Sequence, residues 1–316
     1  MRLRKRKSEK PELSPTDKLI RKYKKRSRRL LIILILFLTA IGIFIYMNFN
    51  YLAFKYFVAE HYIYTDTLKE LYKQEIKRDT DKYYKYFDEM AISVITKSIR
   101  EMNYDYYTYL YIPEQYQASV EAEITEAKQT SVKELNETTA LLYLSNFSKY
   151  TAKFVKENIE FLSKYPNLII DVRENSGGDI NAMVGICSHF LPKKSVIAVD
   201  KMRFLDWTYK AGSGKKYDFD NIVILQSKNT ASASENMAAA LKENLDNVTL
   251  IGDTTFGKGI GQYTLRLTGG YAVKATVLLW YTPDGENIQG NGIKPDVYYT
   301  GEDAVENALK WLQEKG

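Results

Sequence analysis

The spacing of apolar residues changes twice along this 316-residue chain. Residues 30–47 are continuously apolar, whereas residues 51–116 place Leu, Tyr, Phe and Ile at the three- and four-residue spacings of helices, as at Leu68, Leu71, Tyr72 and Ile76. After Thr138, short apolar runs alternate with helical stretches. We predict strands at 140–147, 167–173, 195–203, 221–226 and 248–251, and a hairpin at 262–267 and 272–279. Helices are predicted at 151–165, at 179–191 and after Ser232.

The predicted strands 167–173 and 221–226 are almost entirely apolar, as strands buried on both faces are. Alternation of such strands with helices is typical of an α/β fold with a mixed, largely parallel sheet, to which the late hairpin would add antiparallel strands. Residues 117–137 are polar and acidic and are predicted to be a helix or a connector.

The run from Leu30 to Met47 has no charged residue in 18 positions, which is the lower end of the length that crosses a bilayer as a helix. A cleaved signal peptide is the alternative, but it would end in small residues, and the bulky segment Asn48–Tyr51 follows here. We therefore predict an uncleaved transmembrane anchor.

Charge is distributed unevenly about this anchor. Residues 1–29 contain 14 basic and 3 acidic residues, and the remainder contains 31 basic and 36 acidic residues. Basic flanks face the cytoplasm, so topology explains the basic tail without nucleic-acid binding. We predict a cytoplasmic tail (1–29), an anchor (30–47), a helical extracytoplasmic region (48–137) and a core (138–316), which makes a single-pass protein of the cell membrane.

The small numbers of cysteine and histidine residues limit the disulfides and metal sites that the chain can form. Cys187 is the single cysteine, so no intrachain disulfide forms, and its apolar helical surroundings indicate a core residue. The two histidines, His61 and His189, have no motif around them. We therefore predict no metal and no cofactor.

Lys258 has two interpretations. The segment from Gly252 to Lys258 matches G-x-x-x-x-G-K, but Gly259 stands where a nucleotide-binding loop needs Ser or Thr, and strands rather than a helix follow. As a general base, Lys258 would need a pKa well below the usual value of about 10.4, which burial can supply. Along the chain, no carboxylate is closer to it than Asp253.

Ser232 follows an apolar strand and begins an alanine-rich helix, where backbone N–H groups can stabilise an oxyanion. The Ala233 amide is the nearest donor, and the turn at Gly177-Gly178 could supply a second, because adjacent parallel strands open on one edge. Ser234 lies two residues on, and one of the two serines is expected only to cap the helix. A serine on such a turn and a lysine returned by the next strand are what a Ser/Lys hydrolase needs, but the patterns alone do not decide for one.

Five blocks make the chain resemble the C-terminal processing, or tail-specific, serine peptidases. They are NYDYYTYL (103–110), LIIDVRENSGG (168–178), TASASENMAAAL (230–241), LIGDTTFGKGIGQ (250–262) and YTPDGENIQGNGIKPDV (281–297). The resemblance implies a crotonase/ClpP-like core and a serine endopeptidase that cleaves near protein C-termini through an acyl-enzyme.

The same resemblance assigns roles to individual residues. It implies Ser232 as the nucleophile, Lys258 as the general base and Gln262 as the residue that orients the lysine. Amides of Ala233 and of Gly177 or Gly178 fit the oxyanion hole. The implied partners are protein or peptide substrates and the cytoplasmic membrane, and residues 51–110 could form the surface of a homo-oligomer or pack on the core.

The chain departs from the family in three places, one of which is an interval between Ser232 and Lys258 that is one residue longer than usual. Ser176 replaces the usual proline of Asn-Pro-Gly-Gly. Only residues 111–139 separate the first block from the first predicted strand of the core, too few for the PDZ domain that normally lies there. A non-catalytic binding protein with the same core is therefore the alternative hypothesis, and the joint presence of Ser232, Lys258 and Gln262 argues against it.

Overall fold

The chain forms two β-sheets flanked by helices, and the computed structural model describes residues 14–64 and 89–315. The predicted helical spacings at 68–76 and residues 1–13 of the basic tail lie outside these ranges. The helices are α1 (Pro15–Met47), α2 (Phe49–Ala53), α3 (Glu89–Asn103), α4 (Pro113–Ala127), α5 (Lys149–Leu162), α6 (Ile180–Cys187), α7 (Ala233–Asn244) and α8 (Ala304–Lys315). A π-helix (Phe54–Ala59) and a 3-10 turn (Thr268–Gly270) complete the helical elements of this part of the chain.

Eleven strands pair in these described ranges. They are β1 (Tyr109–Tyr111), β2 (Ser131–Asn136), β3 (Thr139–Tyr143), β4 (Asn167–Asp171), β5 (Val196–Met202), β6 (Asp206–Lys210), β7 (Asn221–Gln226), β8 (Val248–Gly252), β9 (Ile260–Arg266), β10 (Ala272–Tyr281) and β11 (Val297–Tyr298).

The larger sheet has the order β11-β8-β7-β4-β3-β2, and every pairing except β3 with β2 is parallel. This confirms the predicted α/β fold with a mixed, largely parallel sheet. Side chains alternate between its faces: Leu168 and Ile170 pack in the core that contains α5, α6 and α7, whereas Ile169 packs against α8. Burial on both faces explains why β4 and β7 are continuously apolar.

The late hairpin belongs to a second sheet, where we had predicted that it would extend the first. This sheet is antiparallel, with the order β1-β10-β5-β6, and β9 also pairs with β10. Its β10 side chains pack with Phe54, Ile92 and Ile99 in a core of their own, which explains the separation. The described part of region 48–137 therefore packs on the core. Such packing was one of the two alternatives considered for residues 51–110.

The segment between β1 and β3 is short and regular. It contains α4 and β2, so residues 117–137 are part helix and part strand rather than one helix or a connector. Strand β2 turns back onto β3 because Asn136 Oδ1 accepts the Thr138 N–H at 2.9 Å and so closes a tight turn.

Helix α1 extends the apolar run into the basic tail. It is 33 residues long, begins after Ser14, whose Oγ accepts the Asp17 N–H at 3.1 Å, and contains no buried residue. Its most apolar 18-residue window has a mean hydropathy of 2.9. The helix is therefore long and apolar enough to cross a membrane, as an anchor or as a signal sequence would.

Candidate active site

Two strand-to-helix turns meet at one edge of the larger sheet, because β4 and β7 are parallel neighbours. The carbonyl oxygen of Asn175, in the first turn, accepts hydrogen bonds from Ala231 N at 3.1 Å and from Ser234 Oγ at 2.9 Å in the second. Contact at Gly177 is so close that a Cβ there would lie 2.9 Å from Ser232 Cβ. Asn175 and Gly177 thus hold the serine turn against its neighbour.

Ser232 has a backbone conformation that few non-glycine residues adopt. Its φ is 57° and its ψ is −116°, at the position that caps α7. Such strain costs about 1–3 kcal/mol and persists mainly where function requires a sharp turn, such as one that presents a nucleophile. Ser232 lines a cavity, whereas Ser234 is fully buried with its hydroxyl bound to Asn175. The geometry thus supports Ser232 as the reactive serine and Ser234 as a structural one.

Lys258 is largely removed from water, and its amine is held in one place. Burial lowers the pKa of Lys258 to about 8, with a further decrease from the nearby Lys274 and opposing increases from Glu235 and Asp105. Its Nζ donates to Gln262 Oε1 at 3.0 Å and lies 4.8 Å from the centre of the Tyr107 ring. A lysine with this pKa is neutral often enough near neutral pH to accept a proton.

Gln262 is itself held by the N-terminal region. Its Nε2 donates to the Tyr107 carbonyl oxygen, so the side-chain oxygen is left to face the lysine. Tyr107 lies in the block 103–110, which we had used only as a mark of resemblance. The block therefore supports the lysine through a contact that no local pattern reveals.

Glu235 is a site residue that the sequence interpretation missed. Its carboxylate is fully buried and accepts four hydrogen bonds, from Thr255 Oγ1 (2.6 Å), Gly257 N (2.7 Å), Lys258 N (2.9 Å) and Ser232 N (2.7 Å). Burial raises the pKa of Glu235, and these hydrogen bonds oppose the increase. The pattern Ser232-x-x-Glu235 is typical of a capping box. It could have predicted the hydrogen bond between Glu235 and Ser232, but not the other three.

The loop that carries Lys258 is clamped by the last of the five blocks. Gly259 donates its N–H to Gln289 Oε1 at 2.8 Å, and its carbonyl oxygen accepts from Asn287 Nδ2 at 2.8 Å. A Cβ on Gly259 would lie 2.5 Å from Gln289 N, and one on Gly257 would lie 2.8 Å from Gly292 N. Only glycines allow this close approach on both sides of the lysine.

The two glycines of the first turn differ in whether their backbone N–H groups already have a hydrogen-bond acceptor. Gly177 N donates to Asn175 Oδ1 at 2.9 Å, so it is already used. In the described part of the chain, the N–H groups of Gly178 and Ala233 have no acceptor. These two N–H groups are therefore free to donate to a bound oxyanion, whereas that of Gly177 is not.

Ser232, Lys258 and Gln262 line one cavity of about 720 Å³, together with Gly177, Gly178 and part of α4. Ala233 borders the adjoining cavity. Within ranges 14–64 and 89–315, no hydrogen bond joins Ser232 Oγ to Lys258 Nζ, which is bound to Gln262 instead. Five of the six predicted residues thus line one cavity and Ala233 lies beside it, which brings a hydroxyl, an amine of lowered pKa and free amides close together.

The chain is similar in sequence to known proteins. The model of peptidase family S41 matches residues 138–299. Over 181 residues the chain is 36% identical to the carboxy-terminal processing protease CtpA of Bacillus subtilis, covering 56% of this chain and 37% of CtpA. Over 163 residues it is 35% identical to CtpB of the same organism, covering 49% of this chain and 32% of CtpB. The chain thus spans about a third of the length of these curated relatives.

A solved structure shares the fold. A lipoprotein from Streptococcus agalactiae superposes with a TM-score of 0.59 at 19% identity, covering 76% of this chain and 88% of that one. These findings confirm the resemblance drawn from the five blocks. Because the family model matches slightly more than half of its 316 residues, the chain belongs to peptidase family S41.

Proposed function

We propose that this chain is a membrane-anchored serine endopeptidase that cleaves proteins near their C-termini with Ser232 and Lys258. One observation carries the proposal. Ser232 lies on a strained turn in the same cavity as Lys258, whose pKa is lowered to about 8 and whose amine is oriented by Gln262. A serine hydroxyl needs such a base to become a nucleophile.

The chemistry follows from these positions. Neutral Lys258 Nζ takes the proton of Ser232 Oγ as the oxygen attacks the substrate carbonyl, and the amides of Ala233 and Gly178 stabilise the oxyanion. The lysine then gives the proton to the leaving amine, and the acyl-enzyme forms. Water, deprotonated by the same lysine, hydrolyses the ester and restores the serine.

The substrate class rests on the relatives. CtpA and CtpB of Bacillus subtilis are named carboxy-terminal processing proteases, and we extend that activity to this chain. The alternative, a binding protein that does not cleave, would not need the lowered pKa of Lys258 or the strain at Ser232.

Hydrolysis of an unfolded protein tests the activity. The full-length chain, purified in detergent, should cleave β-casein, and Ser232→Ala or Lys258→Ala should abolish cleavage without unfolding the protein. Ser234→Ala is the matched control: it should retain activity and lose about 1 kcal/mol of stability with its buried hydrogen bond. An inactive wild type, or activity that survives Ser232→Ala, would leave the binding protein as the better hypothesis.

We also propose that α1 anchors the protein, with the basic tail in the cytoplasm and the peptidase outside. The exposed apolar helix and its basic N-terminal flank support this topology. Protease added to intact cells should remove the domain after residue 50. A domain that is protected until the cells are lysed would refute the orientation, and a chain that lacks α1 after secretion would indicate a signal sequence.

A further inference from the structure

A second cavity, of about 450 Å³, is lined by Ser232 but not by Lys258. Its walls are partly apolar, and Ile260, Leu278 and Trp280 contribute them. Its polar lining contains three carboxylates, Glu123, Asp179 and Asp200, and one lysine, Lys274. The cavity could therefore hold an aliphatic chain along its walls and a cation among its acids.

Asp200 is the most unusual group in this lining. It lies on β5, opposite Trp280 of β10, and only 3% of its surface is exposed. Among the ion pairs of the described residues, none includes Asp200. Burial raises the pKa of Asp200 to about 6, and the Tyr209 hydroxyl opposes the increase, so the carboxylate is mostly ionised at neutral pH. A buried charge without a counter-ion is costly, and a bound cation would remove that cost.

Asn236 gives a second, independent indication of a ligand. Its side chain lines the same cavity, it is 2% exposed, and its Oδ1 has no hydrogen-bond partner in the part of the chain that the structure describes. Buried polar atoms are nearly always paired, so this unpaired carbonyl oxygen, on a residue that lines the cavity, supports a partner that arrives with the substrate.

We infer that this cavity binds the side chain of the substrate residue whose carbonyl is attacked, and that it selects lysine or arginine. The methylene stem would pack on Ile260, Leu278 and Trp280, and the cationic end would meet Asp200 and Asn236. This inference rests on the proposed peptidase function and names a substrate preference for it.

The residues that line each cavity indicate which side of the cleaved bond enters the second cavity. Ala233, whose amide would help to hold the oxyanion, lines only the second cavity, Gly178 lines both, and Lys258 lines only the first. Lys258 lines the first cavity, where it must give its proton to the leaving amine. The leaving segment therefore occupies the first cavity, and the side chain on the acyl side enters the second.

Quenched fluorescent peptides that differ at one position test the inference on the full-length protein. We expect kcat/KM to be about 10- to 100-fold higher for lysine or arginine than for norleucine, which has the stem without the charge. Mass spectrometry should place the cut directly after the cation. A wild-type ratio near one, or a preference for norleucine or glutamate, would overturn the inference without any variant.

Asp200→Asn identifies the carboxylate responsible. It should bring the lysine-to-norleucine ratio close to one, while Asp206→Asn, an exposed acid on the adjacent strand, should keep the wild-type ratio. A ratio unchanged in a folded Asp200→Asn protein would overturn the assignment. Ser232-dependent cleavage without a cation preference refutes this inference alone, whereas the absence of any Ser232-dependent cleavage refutes the proposed function with it.

Discussion

The backbone N–H groups of Ser232 and Lys258 donate to the same atom, Glu235 Oε2, at 2.7 and 2.9 Å. One buried carboxylate therefore sets the distance between the loop of the proposed nucleophile and the loop of the proposed base. Glu235 also raises the pKa of Lys258, and burial and Lys274 outweigh this effect. Its principal role in this arrangement is to position the two loops.

We predict that Glu235→Gln separates the loops, because the amide NH2 would face N–H donors where a carboxylate accepted them. Activity should fall by at least about 100-fold, since displacement of about 1 Å has that effect on positioned groups. The free energy of unfolding should decrease by about 2–3 kcal/mol. Kinetics on casein and denaturant unfolding measure the two effects.

Glu243→Gln is the matched control on the same helix. Its carboxylate is half-buried and accepts the Asp284 N–H at 2.7 Å, but it lines a different cavity. It should lose some stability and keep its activity. Equal losses of activity in the two variants would contradict the positioning role of Glu235.

Two substitutions at Gln262 should distinguish its effect on the orientation of Lys258 from the effect of a charge on the pKa of Lys258. Gln262→Ala removes the acceptor of Lys258 Nζ, and we expect kcat to fall about 10- to 100-fold with little change in KM. Gln262→Glu keeps an acceptor but adds a negative charge, which raises the pKa of Lys258 and moves the pH–rate profile to higher pH. An unchanged profile in Gln262→Glu would show that the side chain does not contact the lysine during turnover.

Gly259→Ala tests the clamp around the lysine loop. The added methyl group would lie 2.5 Å from Gln289 N, so we expect a loss of about 1–3 kcal/mol in stability and a loss of activity. Gly214→Ala is the control, because nothing lies within 4 Å of a Cβ at that loop position. Thermal unfolding and casein hydrolysis should both distinguish the two variants.

Lys274→Met should change the pKa of Lys258, because it removes a nearby positive charge. Lys274 lines the cavity of Ser232 and Lys258 and lowers the pKa of Lys258. Its removal should therefore raise that pKa and move the midpoint of the pH–rate profile to higher pH. A midpoint that stays in place would mean that burial alone depresses the pKa.

Most residues of the candidate site could be predicted from the sequence. Few of the contacts that position them could. Ser232 could be recognised because it follows an apolar strand and begins a helix, and Lys258 because glycines flank it. Glu235 was missed because a capping box explains only its bond to Ser232, while its bonds to Thr255, Gly257 and Lys258 join segments more than 19 residues away along the chain.

The second sheet was missed for a similar reason. Alternation of apolar residues shows that β9 and β10 form a hairpin, but it does not show which strand lies beside it. That choice depends on Phe54, Ile92 and Ile99, which pack on the hairpin and come from a region that we had predicted only as helical. The N-terminal region also supplies Tyr107, so local patterns could not connect it to the site.

The pH dependence of kcat/KM tests the pairing of Ser232 with Lys258 most directly. The proposed reaction needs neutral Lys258, whose fraction rises with pH through its pKa of about 8. With a substrate that carries no titratable group, we predict a rate that depends on Ser232, rises with a midpoint near pH 8 and is level by pH 10. A rate that still rises steeply above pH 10, as an ordinary lysine would give, or hydrolysis that does not require Ser232, would contradict the account.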